Sequence, residues 1–361
     1  MYKSLQACRG YAALLVVLYH LGLAIGSPKY FGIRQFGLPF GFGDSGVVFF
    51  FVLSGFIITW VHFADIGTPS RLLPYLRKRA VRIFPTYWIV LAAVFLLAVA
   101  MPAFRSTVPH DFPTLLKTFA LVPQEPAVVG GTGAPILIVA WSLQYEICFY
   151  CWVGVFILSP ALGFLVTGAF VANFLGCRLG SCSFPRSFLS NPVILLFAYG
   201  ALIAYGSRSP IRMKRPSTIA ATAAGAFLVL GMAEVIWGQQ SLPIDRRLAY
   251  GLVSGILILS LVRAEDANPP AAGKGWSSLL GDSSYALYLI HFPLISALCK
   301  LAVSFGLTGP WGALVAYISI LCACVAGAIA FHLRLEKPLL RVLSGTKKSG
   351  PMTRELTATP P

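Results

Sequence analysis

Charge is what this sequence has least of. Only 12 of its 361 residues are Asp or Glu, and charged residues of both signs make up 11%. A soluble domain carries roughly a quarter, so a water-facing surface of ordinary composition is excluded. No long polar block is present, which leaves no room for a separate soluble domain. Histidine is scarce, at 5 residues, and the 8 cysteines show no ligand spacing. Cys148 and Cys151 form a CxxC inside a hydrophobic stretch with no second pair nearby, which argues against a zinc or redox centre. No metal and no permanently bound cofactor is expected. Cys177 and Cys182 bracket a short loop, where a disulfide and two free thiols are equally open. The start, MYKSLQACRGYAALLVVLYH, has the basic and apolar parts of a signal peptide without a small-residue cleavage site, and reads as an uncleaved first helix.

What the chain does have is apolar length. It is 57% hydrophobic with a mean hydropathy of +0.78, the composition of an all-α integral membrane protein. Segments of about 17–25 mostly apolar residues predict spanning helices. Ten are predicted: 5–26, 44–63, 83–102, 136–158, 160–176, 189–206, 217–237, 247–263, 283–305 and 310–333. The fourth and fifth are separated only at Ser159-Pro160, where proline marks a tight reversal. Residues 1–340 form one membrane domain, and 341–361 are expected to be a disordered cytoplasmic tail.

The net charge of +16 would suggest a nucleic-acid partner in a soluble protein. Here the positive residues fall in short runs between apolar segments, the distribution that sets membrane orientation, and no nucleic-acid role is expected. With the N-terminus inside, 19 of the 28 Lys and Arg lie on the inner side and 8 on the outer. Both termini are therefore expected in the cytoplasm.

Ionisable groups in such a chain are expensive and mark functional candidates. Arg9 and His20 are eleven residues apart on the first helix, which returns them to nearly the same side about 16 Å apart. The charge sits at the entrance and the imidazole deep inside. The inner loop SRLLPYLRKRAVRIFPTYW carries Arg79 and Arg82 three apart, a spacing that lets both grip one phosphate or pyrophosphate. Plain topogenic charge explains the basicity equally well, but not the Pro85, Tyr87 and Trp88 that follow. Asp44 precedes the second span, where it either caps the helix or faces a polar acceptor. Ser54 and Gly55 allow close helix contact. Glu146 lies about 15 Å into the fourth span, with His20 or Arg9 as expected partner and Ser142 one turn earlier as a hydrogen-bond donor. In the ninth span, Asp282 or Ser283 is the expected N-cap. His291 there is either a packed histidine beside Pro293 or a substrate contact.

Taken in order, Arg-x10-His, GVVFFFVLSGF, RxxRIFPTYW, WSLxxExxFY and SYALYLIHFPL resemble the membrane-bound acyltransferase-3 family, from Arg9 to about Pro338. These are bacterial O-acyltransferases of surface polysaccharides, lipopolysaccharide, Nod factors and some antibiotics. The resemblance implies ten spans in a bacterial inner membrane. Its co-substrate would be cytoplasmic acyl-CoA, usually acetyl-CoA, and its acceptor a glycan or lipid-linked sugar reached from the periplasmic side. It makes Arg9 and His20 the functional pair, Arg79 and Arg82 the cytoplasmic RxxR element, and Glu146 the carboxylate of the WSL motif. Many members carry an aspartate directly before the FF of the second motif, where this chain has Val48. Asp44, one turn earlier on the same face, is the available substitute.

Acyl transfer to a hydroxyl needs a base, a positioned thioester and a stabilised oxyanion. His20 is expected as the base with Glu146 orienting it, or Glu146 as the base with His20 the electrophile. A transient acyl-enzyme on Ser54 or Ser142 is a third route. Arg9, Arg79 and Arg82 would neutralise the phosphates of CoA, and Asp44, Ser142 and His291 would contact the acceptor. A transporter or flippase for a lipid-linked sugar is the competing reading, against which the chain shows no internal duplication. A purely structural membrane component has no use for Arg9, His20 and Glu146 at these positions.

Overall fold

A computed structural model of the chain describes residues 2–100, 108–109, 111–210, 213–238, 245–269 and 275–344. Ten of its helices are long and apolar enough to cross a membrane. Their main helices are α1 (Lys3–Gly26), α2 (Ser45–His62), α3 (Leu72–Ala100), α4 (Trp141–Leu158), α5 (Pro160–Leu179), α6 (Val193–Ser207, part of the span Arg186–Ser207), α7 (Pro216–Trp237), α8 (Arg246–Ala267), α9 (Ser284–Ser304) and α10 (Gly309–Phe331). No strand occurs among the described residues.

Three boundaries differ from the sequence expectation, each for a physical reason. Helix α3 starts at Leu72 rather than 83, so the basic residues are helical and carry the axis beyond the apolar stretch. Helix α4 starts at Trp141 after a tight turn over Ile138–Ala140, which puts Glu146 nearer the helix start than expected. Helix α10 runs into a π-helical turn, His332–Glu336, and then a short helix, Lys337–Leu343. Residues 341–343 are thus helical rather than tail, and the tail expected over 345–361 lies outside the described residues. The reversal at Ser159-Pro160 is as expected. Ser159 caps α5 by accepting from the Leu162 amide, and Pro160 occupies the first turn, where its missing N–H does no harm.

The start of α1 and the end of α8 meet at one end of the bundle. Glu265 accepts from the backbone N–H groups of Lys3 and Ser4 (2.7 and 2.9 Å), filling donors that a helix start leaves open. Gln6 donates to Asp282 (2.6 Å) at the same end. We call this the basic end.

Helix α2 is the hub, packed against α1, α4, α6 and α8. It does not start level with the far end of α1. The segment between them makes two short turns, Arg34–Phe36 and Leu38–Phe40, and doubles back into the bundle. Phe36 stacks on Tyr317 of α10 (5.9 Å), and Gly43 lies against the Leu15 carbonyl and Tyr19. Gly46 then sits on the Ala12 carbonyl, where a Cβ would come within 2.5 Å. Helix α2 therefore begins beside the middle of α1, with Asp44, at its N-cap position, at the level of Tyr19. Against α6 the approach is closer still. A Cβ at Gly55 would collide with the Phe197 carbonyl, and one at Gly200 with that of Val52.

Gly55→Val and Gly200→Val should each destabilise the bundle by roughly 1–3 kcal/mol, the cost of overpacking, or block assembly. Gly168→Val, where a Cβ meets nothing within 4 Å, is the control. Thermal unfolding in detergent checks this, and an unchanged Tm for the first two would contradict the packing.

Candidate active site

A cavity of about 620 Å³ opens between α1, α2, α3, α4, α9 and the short helix Lys337–Leu343. Helix direction fixes its polarity. Lys78, Lys337 and Ser344 stand at the basic end and form the mouth, with Arg79, Arg82 and Arg9 just inside. Deeper come Ser54 and Glu146, and last Val47, Phe50, Phe51, Leu143, Ser142 and Tyr288. Five cations thus line one end and apolar side chains the other, as an amphipathic anion would require.

Arg79 and Arg82 both face this cavity, as their spacing predicts. They are held differently. Arg82 lies over the Tyr285 ring (5.2 Å) and pairs with Glu336 (3.4 Å), whose other oxygen binds His332 Nδ1 at 2.7 Å. Glu336 is fully buried. Arg79 lies 5.8 Å over the Tyr150 ring, forms no ion pair among the described residues, and has a buried Nε without a hydrogen-bond partner. A buried donor left open beside a cavity is a place for a ligand anion. Arg9 donates to Gln6 Oε1 (3.2 Å) and shares the cavity with Glu146, which lies within its electrostatic reach.

Glu146 does not orient His20. One of its oxygens accepts from Tyr150 (2.5 Å) and Ser54 (3.2 Å). Nor does Ser142 reach it. The Ser142 hydroxyl donates to the Val139 carbonyl (3.2 Å), a local backbone bond that serine favours in helices, and lies 2.7 Å from Tyr288 Oη. Ser54 is the candidate nucleophile that touches a carboxylate, while Ser142 is committed elsewhere.

His20 pairs instead with His291. The Leu287 carbonyl, 3.0 Å from His291 Nδ1, can only accept, so neutral His291 carries its proton on Nδ1 and its Nε2 is an acceptor. That Nε2 faces His20 Nδ1 at 3.3 Å, and the Val16 carbonyl lies 2.9 Å from the same nitrogen. Two acceptors around Nδ1 assign the proton there, leaving the lone pair of His20 on Nε2. The two histidines do not line the cavity. They stand behind Tyr288, whose ring is 5.9 Å from that of His291.

Asp44 neither caps α2 nor stands free. Both its oxygens accept from Arg246 (2.7 Å each), which also binds Glu234 through Nε and Nη2 (2.8 and 2.9 Å). Asp44 is therefore in place next to the histidine end but is already bound in an ion pair. At the start of α9, Ser283 occupies the N-cap position without a side-chain cap, and Asp282 is engaged by Gln6.

Sequence reasoning missed Glu336 and His332. Their signal was a His-x3-Glu pair at helical spacing in FHLRLEKPL, straddling the end assigned to the last span. It also left Tyr150, Tyr285 and Tyr288 without roles, although all three lie inside motifs it quoted. Glu234 was passed over as a lone acid within an apolar helix, the pattern that marks a buried partner.

Known proteins are similar to this chain in sequence. An acyltransferase-domain family model matches residues 2–333. The exopolysaccharide production protein ExoZ of Rhizobium meliloti is 29% identical, over 84% of this chain and 92% of its own length. The acyltransferase MdmB of Streptomyces mycarofaciens is 25% identical over 94% and 92%. A putative acetyltransferase of the Acidianus two-tailed virus is 27% identical over 92% and 91%. No solved structure matches. A family match over nearly the whole chain, on ten apolar helices that enclose a cation-lined cavity, places this protein in the acyltransferase-3 family as a multi-pass membrane acyltransferase.

Proposed function

We propose that the protein moves an acyl group, acetyl in the simplest case, from cytoplasmic acyl-CoA to a hydroxyl of a surface polysaccharide or another glycan. The observation that carries this is the gradient of the cavity, from five cations at and just inside its mouth to a mainly apolar inner end. It suits a ligand that is phosphorylated at one end and thioester-linked at the other. Arg79, Arg82 and Arg9 would hold the phosphates, and the narrow pantetheine arm would pass Glu146 toward Tyr288. The names of the relatives point to the same chemistry, exopolysaccharide production for one and acetyl transfer for another.

The basic end faces the cytoplasm in this reading. The excess of Lys and Arg on that side supports it, 19 against 8. So does the disulfide between Cys177 and Cys182, which lies at the opposite end of α5, since disulfides persist in oxidising compartments. The bacterial inner membrane meets both conditions. The acceptor then approaches His20 from the periplasmic side.

His20 Nε2 takes the proton of the acceptor hydroxyl as its oxygen attacks the thioester carbonyl. The carbon–sulfur bond breaks, and the leaving thiolate of CoA takes up the proton. Glu146, fixed by Tyr150 and Ser54, supplies the negative charge that holds Arg9 in the cavity. His291 fixes the tautomer of His20, and the Asp44–Arg246–Glu234 cluster anchors the start of α2 beside it. In this arrangement Asp44, Ser142 and His291 position other groups rather than bind the acceptor.

Three outcomes follow for purified protein. Replacing both Arg79 and Arg82 by Ala should weaken CoA binding about 100-fold, the worth of two charge-assisted hydrogen bonds; unchanged affinity by calorimetry would contradict the phosphate role. Replacing them singly should separate their structural parts. Arg82→Ala removes the cation from the buried Glu336, leaving it to His332, and should lower stability by about 1–3 kcal/mol, whereas Arg79→Ala should leave the Tm unchanged. Finally, His20→Ala should cut transfer about 10²–10⁴-fold, the range of a lost general base, with CoA affinity intact. A variant that retains full transfer would remove His20 as the base.

A further inference from the structure

The inner end of the cavity is lined mainly by apolar side chains. Past Glu146 the walls are Val47, Phe50, Phe51, Leu143 and Tyr288. Tyr288 cannot yield easily, because its hydroxyl donates to the Val139 carbonyl at 3.0 Å and lies 2.7 Å from Ser142 Oγ. Phe51 is wedged among the rings of Trp141, Tyr145 and Phe197, at 5.9, 6.5 and 4.9 Å. Phe50 differs from both. It meets Tyr288 edge to face at 6.2 Å and packs against the hydrophobic clusters on either side of it, with no polar tether. Behind Tyr288 stands His291, with ring centroids 5.9 Å apart.

We infer that Phe50 is a specificity-determining residue that limits the transferred group to short acyl chains. This rests on the reading of the cavity as the acyl-CoA site. If arginines fix the nucleotide at the mouth, the pantetheine arm, whose length is constant, delivers the thioester to a fixed depth. Every added methylene must then enter the space before Phe50 and Tyr288. Interiors pack without spare volume, so a chain too long for that space displaces a ring. One methylene too many in such a pocket changes discrimination about 10–200-fold.

The test is calorimetric titration of the detergent-purified full chain with free CoA and with acetyl-, propionyl-, butyryl- and hexanoyl-CoA. Each affinity is expressed relative to free CoA for the same variant. Wild type should bind CoA and acetyl-CoA, and lose affinity by at least about tenfold between acetyl and hexanoyl. In Phe50→Ala that loss should shrink to threefold or less, about half a decade or more regained. Phe50→Leu should move in the same direction by less, which keeps the test open if the alanine variant does not fold. Phe50→Trp should move the other way and weaken propionyl-CoA relative to acetyl-CoA. A flat chain-length profile in wild type, or profiles unaltered by all three substitutions, would overturn the role of Phe50 while leaving the CoA site standing. Failure of wild type to bind free CoA would overturn the acyl-CoA reading and this inference with it.

Discussion

The structure is organised around holding guanidinium groups inside an apolar bundle without cancelling them. A cation there needs a partner, and a partner that neutralised it completely would leave nothing for a ligand. Arg82 is matched by Glu336, yet Glu336 is shared with His332 and the pairing is long, at 3.4 Å. Arg79 is supported by an aromatic face and keeps an open donor. Several features of the fold serve this arrangement. Helix α3 runs past its apolar stretch to carry both arginines, and α10 passes through a π-helical turn that brings the Glu336 carboxylate to both His332 and Arg82. π-helical turns often mark functional positions in this way.

The other half of the molecule solves a different problem, placing an imidazole with a defined free nitrogen beyond the cavity. Because α2 begins beside the middle of α1, the segment before it fills the bundle around Tyr19 and His20. Arg246 then binds Asp44 from α2 and Glu234 from α7, a clamp across three elements. The Leu287 carbonyl sets the tautomer of His291, which with the Val16 carbonyl sets that of His20, and the ring of Tyr288 separates the pair from the cavity. In the proposed reaction these are the two half-sites, donor and acceptor, and the layer made by Phe50 and Tyr288 is where they meet.

The sequence made the helices legible because apolar length is a strong signal in a chain with so little charge. It also gave Arg9, His20, Glu146, Arg79 and Arg82 as candidates, since each is an ionisable group where such groups are expensive. Their partnerships were not legible. Spacing along α4 puts Ser142 one turn from Glu146, but helix rotation turns its hydroxyl to Tyr288 instead. His20 and His291 are 271 residues apart, and nothing local links them. Asp44 looked like a cap because it precedes a helix; its partner is 202 residues away. The basic stretch read as a loop because its charges hid a helix that tertiary contacts extend.

The central claim is that this protein acylates a glycan hydroxyl at the expense of acyl-CoA. The most direct measurement is the O-acyl content of the host's extracellular and lipid-linked polysaccharides, by NMR, in a deletion strain with and without the complementing gene. The account predicts that O-acyl groups vanish on deletion and return with the wild-type chain. Unchanged acylation together with lipid-linked sugar accumulating inside the cell would contradict it and identify a carrier of that sugar instead.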